Sequence, residues 1–251
     1  MANQFTRLEM LIGSRNLDLL ETKKVAIFGV GGVGGNAVDS LARSGVKNFV
    51  LIDNDDVSLT NINRQYFADL STVGKAKVDV AEEHILSISR DANITKIKQF
   101  IDPVNILDFD FSDIDYVIDA IDSVASKVAL IARVKELNIP IISALGCGNR
   151  MDPTKLVVTD IYKTEGDPLA KILRKELREK GIKKHKVVYS TELPIKVDQE
   201  IMNACLKEEG TTKKNIPGSS SFVPPVAGII MASEVVKDLL QNRKFIKIGE
   251  F

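Results

Sequence analysis

Val25-Ala26-Ile27-Phe28-Gly29-Val30-Gly31-Gly32-Val33-Gly34-Gly35 is followed, after a helix-length interval, by Phe49-Val50-Leu51-Ile52-Asp53. Val25 to Phe28 is a short apolar run of strand type. Gly29, Gly31 and Gly34 have the G-x-G-x-x-G spacing, and Val33, Ala37 and Leu41 recur behind them at helical intervals. A strand therefore turns into a helix through residues almost without side chains. Such a turn lets a phosphate approach peptide N–H groups at a helix N-terminus, where the macrodipole favours negative charge. Asp53 ends the next apolar run, where a carboxylate can accept hydrogen bonds from ribose hydroxyls. Strand, glycine turn, helix, second strand and terminal acid in this order predict a nucleotide site rather than a plain tight turn.

Downstream of Asp53, the stretch Asp55 to Gln65 is too polar for a strand and lacks a helical stripe, so it reads as a loop. Leaving the carboxyl end of a strand, it lies where open α/β sheets bind ligands. Asp55, Asn61, Arg64 and Gln65 are the candidates here. Arg64 offers a planar fork to phosphate oxygens, and the two amides can donate without adding charge; the alternative is a solvated loop. The stripe Val78, Ala81, Ile85 and Ile88 makes a helix that opens at Lys77. A cation at a helix start opposes the dipole, so Lys77 is the candidate second phosphate cation. His84 reads as a surface residue.

Tyr116 to Asp119 is a buried strand, and Val124 to Leu137 is a helix that Ser123 can cap. Asp122, between them, has the hard oxygen that Mg²⁺ prefers when it also holds phosphates, or else it is a second cap. Asp119 reads as a strand-end residue. Pro140 starts another strand, Ile141 to Ala144, which ends in the glycine-rich run Gly146 to Arg150, a second such loop at the same sheet edge that reads as flanking a substrate. Cys147 reads as close packing more than as a nucleophile, because no histidine lies nearby in sequence.

The character changes at Lys155. A strand runs to Ile161, and Asp167-Pro168 opens a helix with Leu169, Ile172, Leu173 and Leu177 on one side. From Lys171 to Lys186 the chain also carries Arg174, Lys175, Arg178, Lys180, Lys183 and Lys184, against Glu176 and Glu179. That density points to a polyanion such as RNA, the alternative being a solvated face. Tyr162, Tyr189 and His185 are possible base-stacking groups. Residues 191 to 221 read as a long polar connection, Cys205 as packing, and Pro224-Pro225 as the start of a buried final helix.

Length, charge and cysteine usage bound these readings. The 251 residues are 44% hydrophobic, enough for an α/β core in one domain, with residues 1–150 as a nucleotide-binding half and 151–251 as a substrate-facing half. The expected architecture is Rossmann-like: a mostly parallel sheet flanked by helices, with an antiparallel C-terminal extension. Basic and acidic residues both number 34, which excludes a uniformly basic nucleic-acid binder. Two cysteines, Cys147 and Cys205, make neither a disulfide framework nor a four-cysteine zinc site, so a reducing cytoplasm is expected. No leader or membrane span is expected either. Leu8, Leu11, Ile12, Leu17, Leu19 and Leu20 suggest two short helices before the first strand. Arg7 and Arg15 there are solvated or reach a neighbouring subunit's phosphate site.

The run from Gly29 through Asp53, Asn61, Arg64, Lys77 and Asp122 resembles the ubiquitin-activating-enzyme-like, ThiF-type family of ATP-dependent adenylating enzymes. Arg7 to Gly13, Asp119 to Ser123, Asp160 to Thr164 and Gly181 to Lys184 resemble its branch that dehydrates threonylcarbamoyladenosine in tRNA. The resemblance covers nearly the whole chain. It implies Gly32 under the phosphates, Asp53 on ribose, Arg64 and Lys77 on the triphosphate, and Asp122 on Mg²⁺. It also implies a homodimer in which Arg7 reaches the other subunit's ATP. The implied chemistry activates the modification's carboxylate as an acyl-adenylate, which its own carbamoyl group attacks with release of AMP. Two residues depart from the family pattern, Gly35 in place of serine and Cys147 in place of a small residue such as alanine. An activator of a ubiquitin-like sulfur carrier, with a sulfur-transfer partner, is the alternative enzyme; a zinc site of paired cysteines, common in such activators, is absent. A nicotinamide dehydrogenase would leave the Asn61 to Lys77 cluster unexplained, and a nucleotide-binding scaffold would leave Arg64, Lys77 and Asp122 without work.

Overall fold

The computed structural model describes residues 2–208 and 215–240. Two short helices, α1 (Thr6–Ile12) and α2 (Ser14–Thr22), precede β1 (Lys24–Phe28). Then come α3 (Gly34–Arg43), β2 (Asn48–Ile52), α4 (Lys77–Ile88), β3 (Asn93–Ile97), β4 (Tyr116–Asp119), α5 (Val124–Glu136) and β5 (Ile141–Ala144). The remaining elements are β6 (Leu156–Asp160), α6 (Pro168–Glu179), β7 (Lys186–Ser190), α7 (Gln199–Glu208) and α8 (Val223–Leu239).

The strands form one sheet in the order β3-β2-β1-β4-β5-β7-β6, parallel except for β6, which runs antiparallel to β7. The mostly parallel sheet and its antiparallel end agree with expectation. Alternation along the strands divides the core. Val25, Ile27, Phe49 and Leu51 face α3, α4 and α8, while Ala26, Phe28, Val50 and Ile52 face α5, α6 and the crossover after β3. That crossover supplies no long helix; it lays Phe109 and Phe111 against Phe28, with ring centroids 5.1 and 6.1 Å away.

The chain moves outward from β1 to β2 and β3, then returns to β4 on the other side of β1. This reversal opens a crevice at the carboxyl ends of β1 and β4, the usual ligand position in open α/β sheets. Among the described residues, no helix is long and apolar enough to cross a membrane.

Several expectations are corrected. The polar connection 191–221 contains the helix α7, and the lysine-rich stretch runs on into a strand, β7, that the charge pattern does not predict. In α6 the buried residues are Ala170, Leu173 and Leu177, whereas Ile172 is exposed. His84, expected at the surface, is half-buried: its Nε2 is 2.7 Å from Asp39 Oδ1, and its ring packs against Tyr66 and Phe67.

Candidate nucleotide and substrate site

The turn after β1 is shaped by close backbone contact. A Cβ on Gly34 would lie 1.8 Å from the Gly29 carbonyl oxygen, so no larger residue fits. Gly31, by contrast, is open: the nearest atom to a Cβ there is Gln65 Nε2, at 3.8 Å. Arg64 Cγ would be 3.3 Å from a Cβ on Gly32. The loop after β2 therefore leaves an open position above Gly31, with the Gln65 amide beside it, and packs Arg64 closely against Gly32. Exposed peptide groups at a helix N-terminus, with a guanidinium and an amide beside them, make a cradle for phosphate oxygens.

Asp53 Oδ2 accepts from the Val30 N–H at 2.7 Å, and Oδ1 accepts from the Asp55 N–H at 2.9 Å. The acid at the end of β2 is thus tied to the glycine turn, and each oxygen retains a further lone pair for a sugar hydroxyl. Burial pushes its carboxyl above the usual carboxylate range, with the charge of Lys77 pulling the other way.

Residues 55–57 and 75–77 pair as a short antiparallel bridge, through Lys77 N to Asp55 O at 3.1 Å and Val57 N to Lys75 O at 2.8 Å. This pairing fixes Lys77 at the start of α4, where its buried side chain donates to Asp55 Oδ2 at 2.8 Å and lies 3.9 Å from Asp53 Oδ1. Arg64 Nη1 donates to Thr60 O at 2.8 Å and Asn63 Oδ1 at 2.9 Å. Asn61 is buried, its Oδ1 accepting from Ser58 N at 3.2 Å to close a turn at residues 59–61 within the expected loop. That oxygen holds Arg64's loop in shape.

Asp122 is exposed just beyond β4. The turn that carries it touches the glycine turn, since Ala120 O would be 2.7 Å from a Cβ on Gly29. Helix α5 starts with Ser123 Oγ accepting from Ser126 N at 3.5 Å, as anticipated. Among the described residues no group of three or more His, Cys, Asp or Glu could hold a metal by itself. The donor set fits a Mg²⁺ held by one carboxylate plus phosphate oxygens.

The glycine-rich run after β5 is packed tightly. Arg150 donates through Nε to Glu192 O at 2.9 Å and through Nη1 to the Gly146 and Gly148 carbonyls, and it pairs with Asp167 at 2.7 Å. Cys147 is buried, and burial pushes its thiol up to about 12, which removes it as a nucleophile at neutral pH.

Two segments that the sequence did not point to complete the surroundings. Asn63 Nδ2 donates to Ser219 O at 2.8 Å, and Pro224 Cβ would be 3.4 Å from a Cβ on Gly32. No local signal links residues so far apart in the chain. Arg7 is exposed on α1, and Arg15 on α2.

The cationic stretch divides. Lys171, Lys175, Arg178, Lys180, Lys183 and Lys184 are exposed. Arg174 is instead folded onto Thr164, donating to its carbonyl oxygen at 2.7 Å. Lys186 leaves this face altogether, pairing with Glu234 and Asp238 of α8 at 3.3 and 2.7 Å. His185 and Tyr189 are buried, so neither is available to stack a base; Tyr162 lies under Arg178, 5.3 Å from guanidinium carbon to ring centroid.

Known proteins resemble this chain over its full length. The model of the ThiF family matches residues 5–249. The chain is 42% identical over 253 residues to the tRNA threonylcarbamoyladenosine dehydratase of Bacillus subtilis, covering all of both chains. It is 35% identical to the Escherichia coli enzyme of the same name, covering 92% of this chain and 91% of that one. The crystal structure of the E. coli dehydratase in complex with ATP superimposes with a TM-score of 0.82 at 33% identity, covering 94% of this chain and 93% of that chain.

Proposed function

The chain belongs to the ThiF family, and we propose from this that it is an ATP-dependent tRNA threonylcarbamoyladenosine dehydratase. It closes a ring on N6-threonylcarbamoyladenosine in tRNA by way of an acyl-adenylate. One observation carries the reading: a glycine cradle, a ribose acid and two cations converge at one sheet edge, in a chain similar from end to end to enzymes of that name.

In this reading the phosphates lie over Gly29, Gly31, Gly32 and Gly34, and Asp53 accepts from ribose. Asp55 holds Lys77 until the triphosphate arrives, and Asn61 and Gln65 steady the loop that presents Arg64. Arg64 then exchanges the Thr60 carbonyl for phosphate oxygens. A carboxylate oxygen of the modification attacks the α-phosphorus and pyrophosphate leaves. The carbamoyl group next attacks the activated carbonyl carbon, and AMP leaves. Arg64 and Lys77 neutralise charge that develops on the α-phosphate, and the pocket holds the two ends of one substrate together. No protein nucleophile takes part, in keeping with the buried, protonated Cys147. Asp122 would hold Mg²⁺, which supplies further neutralisation of phosphate charge when bound.

The same proposal includes a cytoplasmic homodimer in which Arg7 reaches the partner's ATP, tRNA docking along the exposed cations of α6 and its exit, and room for a sulfur-transfer partner. It is tested by mass spectrometry of tRNA nucleosides after incubation with ATP. Loss of one water from the modified adenosine is expected, and unchanged nucleosides with a folded protein overturn it.

A further inference from the structure

The most polar part of the interior lies where the proposed chemistry does not reach. Asp119, Lys127, Ser143 and His185 come from β4, α5, β5 and the residue before β7, and all four are fully buried. Asp119 Oδ2 accepts from Lys127 Nζ at 2.8 Å and from Ser143 Oγ at 2.6 Å, while Oδ1 accepts from the Ile121 N–H at 3.2 Å. Having given its only proton to Asp119, the Ser143 hydroxyl accepts from His185 Nε2 at 2.8 Å. His185 is therefore the Nε2–H tautomer, and its buried Nδ1 has no hydrogen-bond partner.

A buried ion pair of this kind is weak evidence for stability, because an apolar pair of the same volume does as well or better. Its placement says more. Oδ1 of Asp119 fixes the backbone at Ile121, between Ala120, whose carbonyl abuts the glycine turn, and Asp122.

We propose that Asp119, held by Lys127 and by the Ser143–His185 relay, is a positioning residue that aims Asp122 at the metal-bound phosphates of ATP. The inference rests on the reading of the site as an ATP site. The carboxylate touches no substrate; it acts through the peptide at Ile121. The Ala120 N–H is held separately, by Phe28 O at 2.8 Å, so loosening the peptide at Ile121 leaves the glycine cradle, Asp53 and Lys77 in place and acts on the part of nucleotide binding that depends on Mg²⁺ and Asp122.

The test is a thermodynamic cycle on ATP binding, by calorimetry, with Mg²⁺ and then with a chelator, using Ser143→Ala, Asp122→Asn and the double variant. Ser143→Ala is expected to weaken binding about fivefold with Mg²⁺, to change it by less than about twofold without, and to add nothing to Asp122→Asn. Equal weakening in both conditions, no weakening in either, or effects that multiply in the double variant overturn the proposal. Should Ser143→Ala fail to fold, Asp119→Leu with Lys127→Met, an apolar pair of similar volume that also removes the acceptor for the Ile121 N–H, goes through the same cycle, and the same outcomes decide. A wild-type chain that takes up no ATP overturns the functional reading itself, and the proposal with it.

Discussion

The ammonium of Lys77 donates to Asp55 Oδ2 at 2.8 Å, across the bridge that joins residues 55–57 to 75–77. The carboxylate partner is more than half exposed, at 56% of its side chain, so the pair adds little to stability. Lys77→Ala is expected to cost no more than about 2 kcal/mol in a denaturant titration while AMP formation on modified tRNA falls by about a hundredfold or more. Near-normal turnover in the variant would remove Lys77 from the phosphate site.

The two faces of the glycine turn make opposite demands. Gly34→Ala drives a methyl group into the Gly29 carbonyl and is expected to leave the chain unfolded or short of a cooperative melting transition. Gly31→Ala meets only the Gln65 amide at 3.8 Å, so it should melt within a few degrees of wild type and yet lose ATP uptake by calorimetry. Normal ATP affinity in Gly31→Ala would mean that the phosphates lie elsewhere.

Asp53 is kept at a cost in stability. Burial raises its carboxyl pKa above the ordinary value, so the native chain holds this proton more tightly than the unfolded one. Stability from this group is thus greatest below the unfolded pKa and falls as pH rises through the raised native one. Asp53→Asn, which keeps an oxygen for the Val30 N–H, should equal or exceed wild type in stability at pH 7, with the difference vanishing at acid pH. ATP affinity should drop about tenfold. A large loss of stability at pH 7 would contradict the electrostatic argument.

His185 works in the other direction on the pH axis. Burial lowers its pKa from 6.5 to about 3, with the charges of Lys135 and Lys127 adding to the effect. Between those values the unfolded state binds the extra proton, so stability rises with pH through the window and is complete above 6.5. Going from pH 7 to pH 5 should remove about 2 kcal/mol through this residue. Chemical denaturation of wild type and His185→Gln at several pH values measures it; parallel pH profiles would show that the imidazole is not the source.

On the cationic face, Lys171 and Lys175 are exposed, and Lys175 has only a loose contact with Glu179 at 3.8 Å. Replacing both by glutamate should weaken tRNA binding and flatten its salt dependence by about one to two phosphate contacts, with ATP binding unchanged. Arg174 is a poorer choice for this experiment, because its tie to Thr164 confounds charge with packing. An unaltered salt slope would place tRNA on another surface.

Much of this architecture can be read from local pattern. The apolar run of Val25 to Phe28, the glycine spacing, the helical stripe behind it and the acid after Ile52 specify β1, α3 and β2 almost to the residue. Asp167-Pro168 marks the start of α6 with equal clarity, and the Asp167 side chain does accept from Ala170 N, at 2.7 Å. The failures have physical causes too. Strand β7 is five residues long and follows a lysine-rich exit, so the charge pattern masks the apolar core of Val187, Val188 and Tyr189. Lys186 and Arg174 look like their neighbours in sequence, and only the opposing carboxylates of α8 and the Thr164 oxygen tell them apart. The Asp119 network draws on three elements and the residue before β7, and its members have no short-range signature. The polar pattern after Asp53 puts the loop carrying Arg64 beside the glycine turn, where it lies, but the contact of Asn63 with Ser219 depends on a chain reversal that no window of sequence contains.

Helix α8 comes closest to the glycine turn at Gly228, where a Cβ would lie 2.1 Å from the Val33 carbonyl and 3.0 Å from Ala37 N. The first turn of α3 is therefore seated on a helix that leaves the ribosome long after it. During synthesis the glycine turn emerges early but lacks this part of its backing until α8 arrives, so the turn is expected to take its final shape late in synthesis. A nascent chain stalled before Val223 would carry every residue proposed to face the phosphates and still lack the α8 buttress beneath the first turn of α3.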